Sequence, residues 1–530
     1  MGRTPGGRAE ANYELLGRLS LGQSLDSERA RLALLLVLAS AYLYLLLFVP
    51  LLIPINVGVG DDRLFLGEAG RIIGGQTIYR DFFELYLPGV DLFYALLFRI
   101  FGVRAWIPNV CVLGIGIGFF WTSIVLSRRL LEGASAFLPG LLFLSISYRR
   151  YLDASPHWFS TLLIMIATAV LIEERSSMRL MIAGMLTGLA TCFTQSHGAF
   201  AAAGVAAFLL WEGTRDGDGW RNVSRRELCF LIPFGSVVAL CVGYAVCAAG
   251  FQPFFFSTFL FLFKYWTYLG SNSWRAYAAF EIGSQVQQLQ WPGFRPLLQV
   301  LLVPGIYLVA IVVYLRQATT SPSKQWRCII LLSAVGLGMF GSVANSAVDW
   351  RVATVSLPAY LIVVWLFERK PGVKGMLAVW ALTLGFMAKD IQVLQTSWTT
   401  LLETPAGRVA LTRNDPVSFY QWLAANTHPG EYVFETSGWD IYFWFELRNP
   451  TELQRWYATE FTTPVQLNAS LRELEQRKPR LIVWGGDLDW PVNDYLDPGR
   501  NYIRSHYRKI ENFDDNIGGQ ISVWERTDSH

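Results

Sequence analysis

Between Leu32 and Ala388 the chain is a succession of apolar runs of roughly spanning length, and this limits its fold to a bundle of membrane helices. The runs are Leu32–Ile55, Ala105–Leu126, Ala134–Ile146, His157–Ile172, Leu180–Thr194, Ala199–Trp211, Leu228–Ala249, Pro296–Leu315, Cys328–Val343, Val352–Phe367 and Val373–Ala388. Only 16% of the 530 residues are charged, against about 25% in a soluble domain. A net charge of +3 carries little information in such a chain, because the placement of charge matters more than its sum, and nothing resembles a nucleic-acid footprint.

Basic clusters orient the bundle. SRR at 127–129, EERSSMR at 173–179, WRNVSRRE at 220–227, LRQATTSPSKQWR at 315–327 and FERKPGVK at 367–374 all belong on the cytoplasmic side by the positive-inside rule. Counting 85–101 as a span sends three of them outside, whereas laying it along the outer interface keeps every cluster inside. The second choice predicts about eleven spans, a cytoplasmic segment at 1–31, a transmembrane domain over 32–394 and an external C-terminus. Residues 61–102 then form one large external loop with two interfacial helices, near Asp62–Gly74 and Leu87–Phe101, separated by Gly74, Gly75, Pro88 and Gly89. The first apolar run, preceded by Arg29 and Arg31, reads as a retained anchor rather than a cleaved signal. The six cysteines fall in or beside apolar runs and read as free core thiols, which argues against a disulfide framework or a zinc site.

From residue 395 to 530 the composition turns mixed and polar, and predicts a small external α/β domain. DPVSFYQWLAANTHPG and PVQLNASLRELEQRKP read as helices, and EYVFE, RLIVWGG and ISVWER as strands. The domain lacks GxGxxG, GxxxxGK[ST] and HExxH, so no nucleotide or zinc chemistry is assigned to it. A role as cover over the membrane site or as acceptor-recognition module is expected instead.

The external loops of this topology gather the polar chemistry. Asp61 and Asp62 stand where the first apolar run ends, and charges at such a place are costly unless they bind or transform something. Asp81, Glu84 and Asp153 share their side of the membrane with Arg80, His157, His197, Lys264, Tyr265, Trp266, Arg275 and Arg351. A transporter or lipid flippase, the alternative class, would place ionisable groups mid-span or show an inverted repeat, and neither is present. A non-catalytic envelope scaffold would keep the topology without needing the first-loop acids. The bland readings are a DD pair capping the following helix, an aromatic belt over 250–295, and Asp349 pairing Arg351.

The order of an acidic pair after the first span, a helix ending in GGQTIYRDFFE, and LPG opening an amphipathic helix that closes with IFG resembles the first external loop of integral-membrane GT-C glycosyltransferases. It is most similar to that of bacterial relatives of protein O-mannosyltransferases (glycosyltransferase family 39-like) and of aminoarabinose transferases. Tyr151-Leu152-Asp153 is similar to the second acidic position of such enzymes. The resemblance implies an all-α polytopic bundle and an inverting transfer of a sugar from a polyprenyl-phosphate donor to a protein, lipid or polysaccharide acceptor outside the cytoplasmic membrane. It makes Asp61 or Asp62 the general base, with Asp153 as a second site acid, since two close like charges raise one pKa toward what a base needs. Arg80, Asp81, Glu84, His157, Lys264, Arg275 and Arg351 become candidates for holding sugar or phosphate. The chain reads FFELYLPG where relatives carry a lysine after the acid, so Arg80 is the candidate replacement. No catalytic metal and no cofactor are expected.

Overall fold

The computed structural model describes residues 30–49, 52–56, 62–266, 294–317, 323–344, 349–369, 372–436, 441–456, 462–485, 496–515 and 519–527. Helix α1 (Ala30–Leu47) opens it, then a two-residue hairpin pairs β1 (Phe48–Val49) with β2 (Ile53–Pro54). The anchor expected over Leu32–Ile55 is therefore helical only to Leu47; Pro50 and Pro54 each lack the backbone donor a continuing helix needs. Two short helices follow, α2 (Asp62–Ile73) and α3 (Gly89–Phe101), and they pack on each other.

The bundle continues with α4 (Trp106–Ser127), α5 (Leu138–Ile146), α6 (Pro156–Leu171), α7 (Ser177–Phe193), α8 (Gln195–Asp216), α9 (Trp220–Ala249) and α10 (Phe251–Phe255), which runs into π-helical turns over Phe256–Leu260 and Leu262–Trp266. Later in the chain come α11 (Phe294–Gln317), α12 (Lys324–Val343), α13 (Asp349–Thr354), α14 (Leu357–Arg369) and α15 (Gly372–Ser397). Among the described residues α1, α4, α9, α12 and α15 are long and apolar enough to cross a membrane, and α6, α7, α11 and α14 are shorter apolar helices. Two predicted runs are divided. Ala134–Ile146 begins as a 3-10 turn over Gly133–Phe137, and Val352–Phe367 breaks between α13 and α14, ahead of Pro358 at the start of the second helix. Gln195–Gly198, which falls between the predicted runs Leu180–Thr194 and Ala199–Trp211, is the first turn of α8.

Small residues decide how the helices pack. A Cβ added at Gly184 would sit 2.2 Å from the carbonyl oxygen of Phe230, and one at Gly188 2.7 Å from that of Phe234, so α7 and α9 touch backbone to backbone. Membrane helices gain little from the hydrophobic effect against each other, and such close approach supplies van der Waals contact instead. All six cysteines are free thiols.

The chain after α15 adds the hairpin β3 (Trp398–Thr404) and β4 (Gly407–Thr412), then α16 (Val417–Asn426), β5 (Val433–Glu435), α17 (Ile441–Trp444), α18 (Pro464–Arg477), β6 (Leu481–Gly485), α19 (Asp497–His506), β7 (Tyr507–Asp514) and β8 (Gln520–Arg526). The sheet runs β5-β6-β8-β7, with β5 and β6 parallel and the other pairs antiparallel. Its core is built from Phe434, Trp456, Leu467, Leu474, Ile482, Trp484 and Ile503. Thr463 starts α18 with a reciprocal capping box to Gln466, as its TPVQ sequence permits. The hairpin β3–β4, α19 and β7 were not anticipated; β7, YRKIENFD, is exposed at most positions because it is an edge strand with one polar face.

Candidate functional site

The first loop is held between the bundle and the C-terminal domain by contacts that join distant parts of the chain. Gly89 lies so close to α7 that an added Cβ would meet the carbonyl oxygen of Cys192 at 2.5 Å, which seats the start of α3. Gln195 Nε2 donates to the carbonyl of Leu85 at 2.8 Å, and the Tyr94 hydroxyl to that of Ala154 at 2.7 Å. On the other side Arg71 donates to the carbonyls of Thr451 at 2.9 Å and Asp81 at 3.2 Å and to Gln76 Oε1 at 2.8 Å, with its guanidinium 4.7 Å over the Phe82 ring. Burial pulls the Arg71 pKa down to about 10. The Phe83 amide donates to the carbonyl of Glu452 at 3.0 Å, Gln454 Nε2 to that of Leu64 at 3.2 Å, and Asn56 Nδ2 to Asp415 Oδ1 at 2.5 Å.

Of the predicted site residues, Asp61 and Arg275 lie outside the described residues, and Asp62 is the first residue of α2. Asp153 is buried and lines a cavity of about 40 Å³ with Asn56, Arg63, Asn109, Phe443 and Trp444. Asn56 and Arg63 flank Asp61 and Asp62 in sequence, and Arg63 donates to Asn56 Oδ1 at 3.1 Å. His157 and His197 form a buried pair with ring centroids 5.0 Å apart, His157 standing edge-on to Tyr86 at 6.1 Å. Ser160 Oγ lies 3.1 Å from His197 Nδ1. Arg351 is near enough for its charge to act on both rings, and it stacks over Trp350, which in turn meets Tyr151 at 5.2 Å.

The remaining candidates are placed differently. Arg80 and Asp81 form a bidentate pair at 3.0 and 2.9 Å with Arg80 also on Thr77 Oγ1, and this pairing holds the Asp81 carboxyl below the usual range. The Lys264 ammonium stands 5.2 Å from the Tyr265 ring centroid, in a segment whose Phe254 and Phe261 meet Tyr79 and Phe83 of the first loop. Glu84 is buried and accepts from the Tyr86 amide at 2.7 Å; its carboxylate meets those of Glu68 on α2 and Asp91 on α3, the ligand oxygens of all three lying within 4.8 Å of one another. Burial pushes all three carboxyls up, and the negative charge of Glu84 adds to the shift at Glu68 and Asp91.

Sequence reasoning did not find Glu68, Asp91 or Arg71, nor a cleft of about 350 Å³ between α2 and the C-terminal domain. Arg63, Glu68 and Arg71 face Tyr432, Arg448 and Arg477 across it. The only local signal was that Glu68 and Arg71 sit on a helix whose inner side is mostly apolar; Glu68 meets Glu84 and Asp91 only through the fold of the loop, and Arg71 reaches Thr451 across 380 positions.

No protein-family profile matches the sequence, and no curated protein matches it. The structure does have known likenesses. It resembles the crystal structure of ArnT from Cupriavidus metallidurans bound to undecaprenyl phosphate, with a TM-score of 0.61 and 12% identity, over 94% of this chain and 98% of that one. It is also similar to the oligosaccharyltransferase of Archaeoglobus fulgidus in the apo form, with a TM-score of 0.49 and 12% identity, over 93% of this chain and 74% of that one. The chain shares its fold with the ArnT structure, in keeping with the resemblance of its first loop to that of GT-C glycosyltransferases.

Proposed function

We propose that this protein is an inverting glycosyltransferase that moves a sugar from a polyprenyl-phosphate donor to an acceptor at the outer face of the cytoplasmic membrane. The observation that carries the reading is the likeness, over nearly the whole of both chains, to a GT-C protein captured with undecaprenyl phosphate. The topology that goes with it has about eleven spans, the transmembrane unit over 32–394, the N-terminus inside and the 395–530 domain outside.

In the proposed reaction Asp61 or Asp62 takes the proton of an acceptor hydroxyl, whose oxygen attacks the anomeric carbon from the face opposite the phosphate. The bond from that carbon to the phosphate oxygen breaks, and its electron pair leaves on polyprenyl phosphate. Asp153 shares the task of orienting the acceptor, an assignment supported by its burial beside Asn56 and Arg63. Arg351, Lys264 and Arg275 neutralise the departing phosphate, as preorganised cations do where charge develops. His157, packed against His197 and Tyr86 with its buried Nδ1 unpartnered, holds sugar or phosphate by hydrogen bonds. Arg80, already paired with Asp81, serves best at the rim. The C-terminal domain covers the site and recognises the acceptor, which its hydrogen bonds to the first loop support. The transfer is proposed to need no catalytic metal.

Release of polyprenyl phosphate from a radiolabelled polyprenyl-phosphate sugar, measured in membranes containing the protein, tests the reading. Wild type is expected to release it. Asp153→Asn and the double change of Asp61 and Asp62 to Asn are expected to lose at least about 100-fold in rate, the size of a general-base contribution. Full activity in both variants removes these acids from the mechanism, and no release by wild type with a panel of sugars removes the function.

A further inference from the structure

We propose that Glu68, Glu84 and Asp91 form a site for a hard divalent cation, of which Ca²⁺ is the best match, that fastens α2 to α3. Glu68 comes from α2, Asp91 from the first turn of α3, and Glu84 from the segment between them, so one ion would close the two-helix loop on itself. The site uses none of the three aspartates assigned to sugar transfer and does not depend on that assignment.

Three observations point to a ligand. First, the carboxylates are buried, at 1, 7 and 0% exposure for Glu68, Glu84 and Asp91, where uncompensated charge is not tolerated. Second, both oxygens of Glu68 and both of Asp91 are buried with no side chain outside the cluster hydrogen-bonded to them, and they converge on one another. Third, no basic side chain makes an ion pair with any of the three among the described residues; Arg71, whose charge acts on Glu68, spends its guanidinium on Gln76, Asp81 and Thr451.

The donor set selects the ion. Oxygen-only, carboxylate-rich ligation suits Ca²⁺, Mg²⁺ or Mn²⁺ rather than a thiophilic metal. Calcium binds oxygens at about 2.3–2.6 Å, so two ligands on opposite sides of the ion are at most about 5 Å apart. The 4.8 Å limit on the separations here fits within that shell. Ligation by three buried carboxylates favours Ca²⁺ over Mg²⁺, which keeps several waters and demands a regular octahedron. Glu68 also lines the cleft between α2 and the C-terminal domain, which gives an ion and its remaining waters a path.

The alternative occupant is the proton: the carboxyls could share hydrogens and need no metal. Full-length protein in detergent, stripped with EDTA and refilled with Ca²⁺, Mg²⁺ or Mn²⁺, separates the two by thermal unfolding and by elemental analysis. Terbium(III) adds an optical probe, since Tyr79 and Tyr86 border the cluster and can sensitise its emission. The expected result is one ion per chain, a fall in Tm of about 5 °C in EDTA that Ca²⁺ reverses, and terbium emission that Ca²⁺ displaces. Glu68→Gln and Asp91→Asn, which keep shape, should lose the ion, the emission and the EDTA response. Unchanged Tm in EDTA with no bound ion overturns the proposal in favour of shared protons, and needs no variant to be read. An ion that survives both substitutions also overturns it, by locating the metal elsewhere.

Discussion

Arg71 is the strut between the first loop and the C-terminal domain, and replacing it by alanine should loosen that union without unfolding either part. The guanidinium makes three hydrogen bonds, of which the one to Thr451 crosses to the C-terminal domain and those to Asp81 and Gln76 fix the loop itself. A hydrogen bond from a charged donor contributes about 1.5–3 kcal/mol. Arg71 lines the cleft, so solvent can reach part of what the truncation exposes, and a net loss of about 3 kcal/mol is the reasonable sum. At 1.4 kcal/mol per decade this raises the undocked population by about 150-fold. The Phe83 amide reports it directly, because its hydrogen-bond acceptor is the carbonyl of Glu452 in the other domain. Hydrogen exchange of peptides spanning 79–86 should accelerate by about two orders of magnitude in Arg71→Ala, with Arg71→Lys between the two because it retains charge but not the fork. Exchange changed by less than about threefold would show that Arg71 is not the strut.

Two further outcomes follow from the charged groups. Glu212 is buried at one end of α8 and takes Arg175 at 3.3 Å, Arg327 at 3.2 Å and Arg226; Arg327 keeps Asp216 and Arg226 keeps Asp218 if it is removed, so Arg175 bears the loss. Glu212→Gln should cost roughly 3 kcal/mol, seen as a Tm lower by several degrees in detergent, and Arg175→Met in the same chain should recover part of it. At the docking face Glu452 and Glu473 both have carboxyls raised by burial, with Glu473 adding to the shift at Glu452 and Arg71, Arg472 and, at Glu473, Arg477 opposing. An acid whose folded pKa is raised holds more protons folded than unfolded, so stability falls as pH rises from the ordinary carboxyl value through the raised one. Resistance of the docked domain to proteolysis should accordingly decline as pH rises above the ordinary carboxyl range and lose much of that slope in Glu473→Gln; a slope of the opposite sign contradicts the reading.

Much of the fold was legible because membrane helices are local objects. Each must satisfy its own backbone hydrogen bonds and meet lipid or neighbouring helices with apolar side chains, so runs such as Lys324–Val343 and Trp220–Ala249 declare themselves in sequence. The ends of those runs were less legible: Leu32–Ile55 turned into helix plus hairpin, and Val352–Phe367 into two helices, because a proline's effect does not show in average hydropathy. The first-loop helices were found from Gly and Pro placement, with α2 at Asp62–Ile73 and α3 at Gly89–Phe101.

The sequence by itself determined the helical membrane core, the two helices of the first loop and the mixed domain that follows. Only the tertiary structure decided what the polar residues of that loop meet. Arg71 reaches Thr451 across 380 positions and Asn56 reaches Asp415 across 359, while Glu68, Glu84 and Asp91 converge only because α2 folds back on α3. Periodicity reports which face of a helix is buried, and it carries no information about which distant group that face will touch.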